Sequence, residues 1–222
     1  MVIAKAQQDE ERRNSFYFAM ALLFGLAAVI GFAPNSIAIL NGTKENPPLL
    51  IHLHAASMSL WMALLVVQSG LAGRGQVRLH MALGQASFVL APTVLLLIVA
   101  IALPSFFSDD TPLAGLIIQT KRIVFFAGCI GVAIWLRKTS PDVHKRLIFI
   151  GTFAVLDAAF FRMSFLPDWG FERAVTIGHL NMTTLLIPFL IYDRMRLGRM
   201  HKVYWITIPP LLAFHIAAAM SW

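Results

Sequence analysis

Seven long apolar runs are the feature that most constrains this chain of 222 residues. They cover residues 16–33, 50–72, 79–103, 113–136, 147–166, 173–192 and 203–221. A helix of about 20 residues crosses the hydrocarbon core of a bilayer, so each run is long enough to span it once. None of the runs alternates apolar and polar residues as the strands of a membrane β-barrel do. Backbone groups in lipid must be satisfied within helices, which predicts an all-α bundle of about seven transmembrane helices.

The composition agrees with this interpretation. Hydrophobic residues make up 58% of the chain and charged residues 13%, whereas soluble domains contain about half and about a quarter, respectively. We therefore expect one transmembrane domain over residues 1–222, with residues 1–15 as a short cytoplasmic segment. Little sequence remains for a soluble domain, which argues against a soluble enzyme or a nucleic-acid-binding protein. The single cysteine, Cys129, excludes an internal disulfide.

The basic residues predict the orientation of the bundle. They cluster in the N-terminal segment and in the turns 74–78, 137–146 and 194–202, whereas the opposite loops contain Lys44 and Arg173. The positive-inside rule places the basic turns in the cytoplasm. We therefore predict a cytoplasmic N-terminus and a C-terminus outside. The net charge of +7 then reflects topology and contact with anionic lipid headgroups.

The three basic turns resemble one another, which indicates an internal repeat. Each is followed by an apolar residue and a histidine, namely His80, His144 and His201. The pattern predicts three helical hairpins, formed by spans 2–3, 4–5 and 6–7, together with an N-terminal span. The three imidazoles are either amphipathic rings at the lipid–water boundary or ligands and proton carriers on the cytoplasmic side. The sequence leaves both interpretations open.

Polar side chains inside the spans are the main functional signal. A charged side chain at the bilayer centre costs at least about 2.5–3.5 kcal/mol, and such residues usually face the bundle interior. At a rise of 1.5 Å per residue, His54, His179 and His215 are expected about 6–10 Å below the outer boundary. The same layer contains further polar side chains: Asp157, Arg162, Gln119, Lys121 and Arg122.

Imidazole is the most common protein ligand for iron, copper and zinc. We therefore predict that His54, His179 and His215 bind haem b or a non-haem metal ion. Asp157 is predicted to be an acid/base group, and Arg122 and Arg162 to contact an anionic group such as a haem propionate. The leading hypothesis is a membrane oxidoreductase that passes electrons between a quinone and an acceptor on the outer side. A third arrangement needs no cofactor, because the same layer could bind an anionic substrate or relay protons.

Three alternative functions use the same residues. The first is a metal-dependent hydrolase or hydroxylase that acts on a lipid substrate. The second is a transporter or proton-coupled carrier whose binding site is the polar layer. The third is an accessory subunit of a larger respiratory or photosynthetic membrane complex, in which the layer holds helices together. The lipid bilayer is the common partner, and no nucleic acid is expected.

Two motif blocks resemble a known pattern. The first runs His52-Leu53-His54 … Trp61 … Gln68 … Arg74 … His80-Met81-Ala82-Leu83-Gly84, and the second is His144-Lys145-Arg146-Leu147 leading to Asp157 and Arg162. Together they cover about half of the chain and are similar to a pattern in uncharacterised bacterial membrane proteins. The resemblance implies a bacterial inner-membrane location and no particular reaction. A looser likeness to cytochrome b561-type proteins rests on paired histidines at the two membrane faces.

Overall fold

The protein is an all-helical bundle, here described from a computed structural model. The structure describes the backbone of residues 2–163 and 171–221, and the side chains of residues 15–163 and 175–221. Within these ranges the regular structure is entirely helical. It comprises α1 (Val2–Leu40), α2 (Leu49–Gly73), α3 (Val77–Gly84), α4 (Ser87–Ala102), a 3₁₀ helix (Leu103–Phe107), α5 (Leu113–Leu136), α6 (Pro141–Ala154), α7 (Asp157–Phe160), α8 (Phe171–Thr184), α9 (Ile187–Leu197) and α10 (Lys202–Met220).

Six helical segments are long and apolar enough to cross a membrane, which confirms the predicted polytopic bundle. They are Ser15–Leu40, Leu49–Gly73, Ser87–Phe107, Leu113–Leu136, Val175–Leu197 and Lys202–Met220. The predicted span 147–166 differs, because it is not one continuous helix: α6 ends at Ala154 and α7 begins at Asp157. Residues 164–166 of that span lie outside the described residues. This fifth predicted span, α6–α7, is thus a broken helix.

The break between α6 and α7 brings Asp157 into the bundle. At this point Val155 and Leu156 donate their backbone N–H groups to the carbonyls three residues earlier, at 3.3 and 3.0 Å. This is 3₁₀ bonding, which winds the chain more tightly than the α-helix does. Similar steps separate α3 from α4, within the predicted span 79–103, and α8 from α9. The second of these lies just before Pro188, which has no N–H to donate. Asp157 becomes the first residue of α7, and its side chain is completely buried.

The helix α5 lies between α4, α6 and α10, while α1 packs against α2 and α7. An aromatic cluster fills the middle of the bundle: Phe24, Phe149, Phe153 and Phe189. Large apolar side chains such as Val29, Leu96 and Val124 are more than half exposed on the outer surface. A soluble monomer rarely exposes such extensive apolar surface, so the exposed face is consistent with contact to lipid.

The end of the bundle that carries the turns 74–78, 137–146 and 194–202 is called here the basic end. Two of its histidines have the same role: Nδ1 of His80 donates to the Gln68 carbonyl at 3.3 Å, and Nδ1 of His144 donates to the Ala133 carbonyl at 2.8 Å. Each bond joins the start of one helix to the helix before it. His201 differs, because its Nδ1 accepts the N–H of Val203 at 3.3 Å and caps α10. The first two predicted hairpins are therefore alike at this point and the third is not.

Gly31 marks the closest approach between α1 and α7. A Cβ atom added there would lie 2.4 Å from the carbonyl oxygen of Ala159. Because backbone cannot move aside locally, we expect Gly31→Ala to destabilise the protein by about 1–3 kcal/mol, the usual range for overpacking. Gly128 on α5 has nothing within 4 Å of an added Cβ. Gly128→Ala should therefore be neutral or stabilise by up to about 1 kcal/mol.

The measurement is the midpoint of thermal unfolding of both variants in the same mild detergent. A lower midpoint for Gly31→Ala alone is the expected result. Equal midpoints for the two variants would contradict the close contact between α1 and α7.

Candidate functional site

The buried ammonium of Lys121 is the centre of the candidate site. Lys121 lies on α5 and is 1% exposed. Its Nζ donates to Asp157 Oδ2 at 2.6 Å, and lies 3.4 Å from Nε2 of His179 and 3.5 Å from Nε2 of His215. An ammonium group has three protons to donate, and here three potential acceptor atoms surround it. The site therefore joins α5, α7, α8 and α10 through one nitrogen atom.

Asp157 holds two cations at once. Its Oδ2 accepts from Lys121, and its Oδ1 accepts from Nε of Arg122 at 2.8 Å. The Nη1 of Arg122 donates to Oε1 of Gln119 at 3.0 Å, within the same helix. Removing one member of a buried ion pair leaves an uncompensated charge, which is strongly unfavourable. Lys121, Arg122 and Asp157 therefore stabilise one another in the bundle.

The two imidazoles of the site lie side by side. The rings of His179 and His215 are stacked, with centroids 4.1 Å apart and planes 15° apart. Thr183 links them, because its Oγ1 donates to the carbonyl of His179 at 2.7 Å and lies 3.3 Å from Nδ1 of His215. With that hydroxyl proton engaged, Nδ1 of His215 is the donor to Oγ1. Nε2 of a neutral His215 is then left as an acceptor towards Lys121.

The five residues Lys121, Arg122, Asp157, His179 and His215 are called here the lysine cluster. Four of them were predicted site residues, and the structure brings these four together, while the roles predicted for them stay predictions. Lys121 was expected within the polar layer, as a further cation that could pair with an anionic group, but it lies at the centre. The signal that identifies it is a lysine inside an apolar run, which must find a partner in the bundle.

His54 and Arg162 lie beside this cluster and not within it. His54 on α2 is half-buried, and its buried Nδ1 has no hydrogen-bond partner among the described residues. Arg162 is exposed. Its Nη1 donates to the Ala158 carbonyl at 2.7 Å, and its guanidinium lies 5.1 Å from the ring centre of Phe32. The predicted three-histidine set is thus divided, with two members facing Lys121 and one apart.

The fit of a metal or haem to these residues can be judged from the donor set. A haem b held by two imidazoles needs one on each face of its iron, whereas His179 and His215 are stacked and both direct Nε2 towards Lys121. In the described part of the chain, no group of three His, Cys, Asp or Glu side chains is arranged to hold a metal ion. As arranged, these side chains surround a buried ammonium group and do not form a set of metal ligands.

A second buried ion pair lies near the basic end. Arg146 of α6 donates to Asp193 of α9 through two bonds, Nε to Oδ2 at 2.8 Å and Nη2 to Oδ1 at 2.5 Å. The two side chains are 3% and 0% exposed. The sequence pattern predicted Arg146 only as a topology signal in a basic turn and did not single out Asp193. Two-bond pairing of this kind depends on how helices meet, which no local pattern reports.

The Arg146–Asp193 pair and two members of the lysine cluster lie on the two halves of the same broken spans, α6–α7 and α8–α9. Arg146 and Asp157 are 11 residues apart on α6 and α7, which corresponds to roughly 16 Å along a helix axis. Fully buried apolar side chains lie between the two levels: Phe153 on α6, Met182 on α8 and Leu211 on α10. The bundle therefore contains two charged layers separated by an apolar layer.

Comparison of the chain with protein-family models, curated proteins and solved structures finds no match in any of the three. The function of the site is therefore inferred from its own residues. The resemblance of the two motif blocks to bacterial membrane proteins stays a prediction.

The Arg146–Asp193 pair generates a test of the packing at the basic end. Asp193→Leu leaves a guanidinium buried without its carboxylate, and we expect a loss of about 3–5 kcal/mol. The double variant Arg146→Met/Asp193→Leu buries no charge, so it should be more stable than either single variant. Asp110→Leu is the control, because Asp110 is an exposed carboxylate outside the helices, and its replacement should change stability by at most about 0.5 kcal/mol.

Thermal unfolding midpoints of the single and double variants form a double-mutant cycle. Additive losses across the cycle would show that the two side chains are not coupled and would contradict the paired geometry.

Proposed function

We propose that the protein is a proton-coupled membrane carrier in which the lysine cluster binds and releases a proton. The observation that carries this proposal is the fully buried Lys121–Asp157 ion pair, with the Nε2 atoms of two imidazoles within 3.5 Å of the ammonium. Ionisable residues within membrane spans commonly mark ion paths and proton relays. The lysine cluster contains four kinds of ionisable group in one place: ammonium, guanidinium, carboxylate and imidazole.

The geometry allows a proton to move within the cluster over a short distance. Transfer from Nζ of Lys121 to Nε2 of His179 or His215 breaks one N–H bond and forms another. The total charge of the cluster is unchanged by this step. Release of the proton from the imidazolium then lowers the charge by one. Imidazole is suited to this role because either ring nitrogen can bind or release a proton.

The arrangement of the helices also supports a carrier. Broken helices are tolerated at membrane depth where they are buried in protein or line a cavity, and many transporters place their binding sites at such discontinuities. The α6–α7 break lies directly before Asp157, and the α8–α9 break follows His179. The apolar layer between the two charged layers is a barrier that a carrier must open and close.

The proposal is tested by charge movement in proteoliposomes adsorbed on a solid-supported membrane. A rapid step from neutral to mildly acidic pH should produce a transient current in the wild type, because the proton enters a site within the membrane. We expect Asp157→Asn and Lys121→Met to reduce this current to the level of empty liposomes. Asp110→Asn is the matched control, since Asp110 is an exposed carboxylate outside the helices, and its current should equal that of the wild type.

Gel filtration of each variant before reconstitution shows whether it is folded. A wild-type current equal to that of empty liposomes, or a folded Asp157→Asn variant with the full current, would refute the proposed function.

The second candidate is the redox protein with haem b or a metal ion. The observation that bears on it is that Asp157 Oδ2, His179 Nε2 and His215 Nε2 all lie within 3.5 Å of Nζ of Lys121, and that carboxylate and imidazole both bind transition metals. With Lys121 in place these three atoms surround an ammonium group and are not arranged as metal ligands. A metal ion bound by them would require the lysine to move away.

A reduced-minus-oxidised absorption spectrum and elemental analysis of the purified protein decide between the two candidates. A Soret shift with α and β bands, or one metal ion per chain, in a protein expressed with haem and metals supplied would favour the second. Loss of that signal in His179→Ala, with retention in Lys121→Met, would place the cofactor at this site.

A further inference from the structure

Three nitrogen-rich side chains lie at the edge of the lysine cluster: Arg122, which belongs to the cluster, and His54 and Arg162, which do not. Contacts of Trp61 on α2 show how the helices that carry them are aligned along the bundle axis. The Trp61 ring packs edge-on against Phe126 of α5, with centroids 5.3 Å apart, and its Nε1 donates to Thr152 Oγ1 of α6 at 3.0 Å. These contacts place one point of α2, α5 and α6 at the same depth in the bundle.

His54, Arg122 and Arg162 lie further from the basic end than Trp61, Phe126 and Thr152 do. His54 lies seven residues before Trp61, which is two helical turns and therefore the same face of α2. Arg122 lies four residues before Phe126 on α5, which runs in the same direction as α2. Arg162 follows Thr152 and Asp157 along the segment that runs the opposite way.

The charges of the described residues at this place do not balance. Lys121, Arg122 and Arg162 are three cations, and Asp157 is the one carboxylate that pairs with them among the described residues. Within that part of the chain two positive charges are in excess, at the edge of a buried site. An anion is the natural counterpart of such an excess, because opposite charges attract more strongly where water is partly excluded.

Hydrogen-bond donors are also available. Arg122 uses Nε for Asp157 and Nη1 for Gln119, and in the described part of the chain its Nη2 makes no hydrogen bond. Arg162 uses Nη1 for the Ala158 carbonyl of its own segment. The buried Nδ1 of His54 has no partner in the same part of the chain. A buried polar atom without a partner is unfavourable, and a ligand atom would supply the missing bond.

We propose that His54, Arg122 and Arg162 form a binding site for a phosphate group. A phosphate group carries roughly 1.5–2 negative charges and several strong acceptor oxygens, which matches the excess of two positive charges. Arginine forks bind such oxygens in pairs. Binding of phosphate at this site does not depend on the proposed function. Transport of that phosphate as the cargo of the carrier does rest on the proposed function. The phosphate belongs either to a soluble anion or to a phospholipid headgroup.

The experiment measures binding of radiolabelled inorganic phosphate to the full chain in a maltoside detergent, by scintillation proximity. We expect saturable binding to the wild type. Arg162→Gln should weaken it by about tenfold or more, the value of one charge-assisted hydrogen bond. His54→Phe should weaken it less, because it removes a neutral donor. Both variants should retain the wild-type elution volume on gel filtration.

Arg137→Gln is a closely matched control. Arg137 is exposed, donates Nη1 to the Ile134 carbonyl of its own helix at 2.7 Å, and lies 4.8 Å from the ring centre of Phe88. Arg162 makes the same two kinds of contact but lies beside the lysine cluster. Phosphate binding should therefore be unchanged in Arg137→Gln. Equal weakening in the two arginine variants would overturn the site.

Native mass spectrometry with added phosphatidylglycerol separates the two sources of phosphate. Retention of the lipid by the wild type and its loss in Arg162→Gln, without binding of free phosphate, would assign the headgroup as the ligand of the same site. Binding of neither probe would overturn the proposal. Because neither measurement uses a proton gradient, intact phosphate binding with no proton current would refute the proposed function alone.

Discussion

The ion pair between Lys121 and Asp157 is the interaction on which the rest of the site depends. It connects the central helix α5 to α7, and α7 exists as a separate element because the chain breaks after α6. At 0–1% exposure, either charge would be strongly unfavourable without its partner. The break before α7 brings Asp157 to Lys121, and the resulting ion pair stabilises the broken segment. The two imidazoles and Arg122 then complete a shell around the pair, which makes the lysine cluster a single cooperative unit.

The second charged layer gives this unit its functional context. Arg146 and Asp193 join α6 to α9 on the far side of an apolar layer that includes Phe153 and Leu211. Each layer is internally paired, so the bundle holds buried charges in two places with buried apolar side chains between them. A structural role alone would explain either layer. The two layers, the apolar side chains between them and the helix breaks beside the lysine cluster together support the proposed carrier, because many transporters bind their substrates at broken helices.

The sequence predicted the helical bundle and grouped polar residues that the structure brings together, but not how those residues pair. Depth follows from the helical rise, so His179 and His215 could be placed in one layer. Pairing depends on the rotation of each helix and on its neighbours, so the central position of Lys121 and the separation of His54 could not be read from spacing. The breaks show the same limit. Pro188 signals the break before α9, whereas Ala154-Val155-Leu156-Asp157 contains no Pro or Gly, so tertiary contacts produce that break.

The arrangement also fixes the sign of any coupling between the proposed phosphate site and the proposed proton site. Arg122 is shared, because its Nε donates to Asp157 while its Nη2 makes no hydrogen bond within the described part of the chain. An anion bound beside Arg122 lowers the positive potential at Lys121, His179 and His215, and so raises their affinity for a proton. Linkage is reciprocal, so a proton bound in the lysine cluster raises the affinity for the anion by the same factor. Anion and proton then bind together and leave together, and a carrier built on these residues moves them in the same direction.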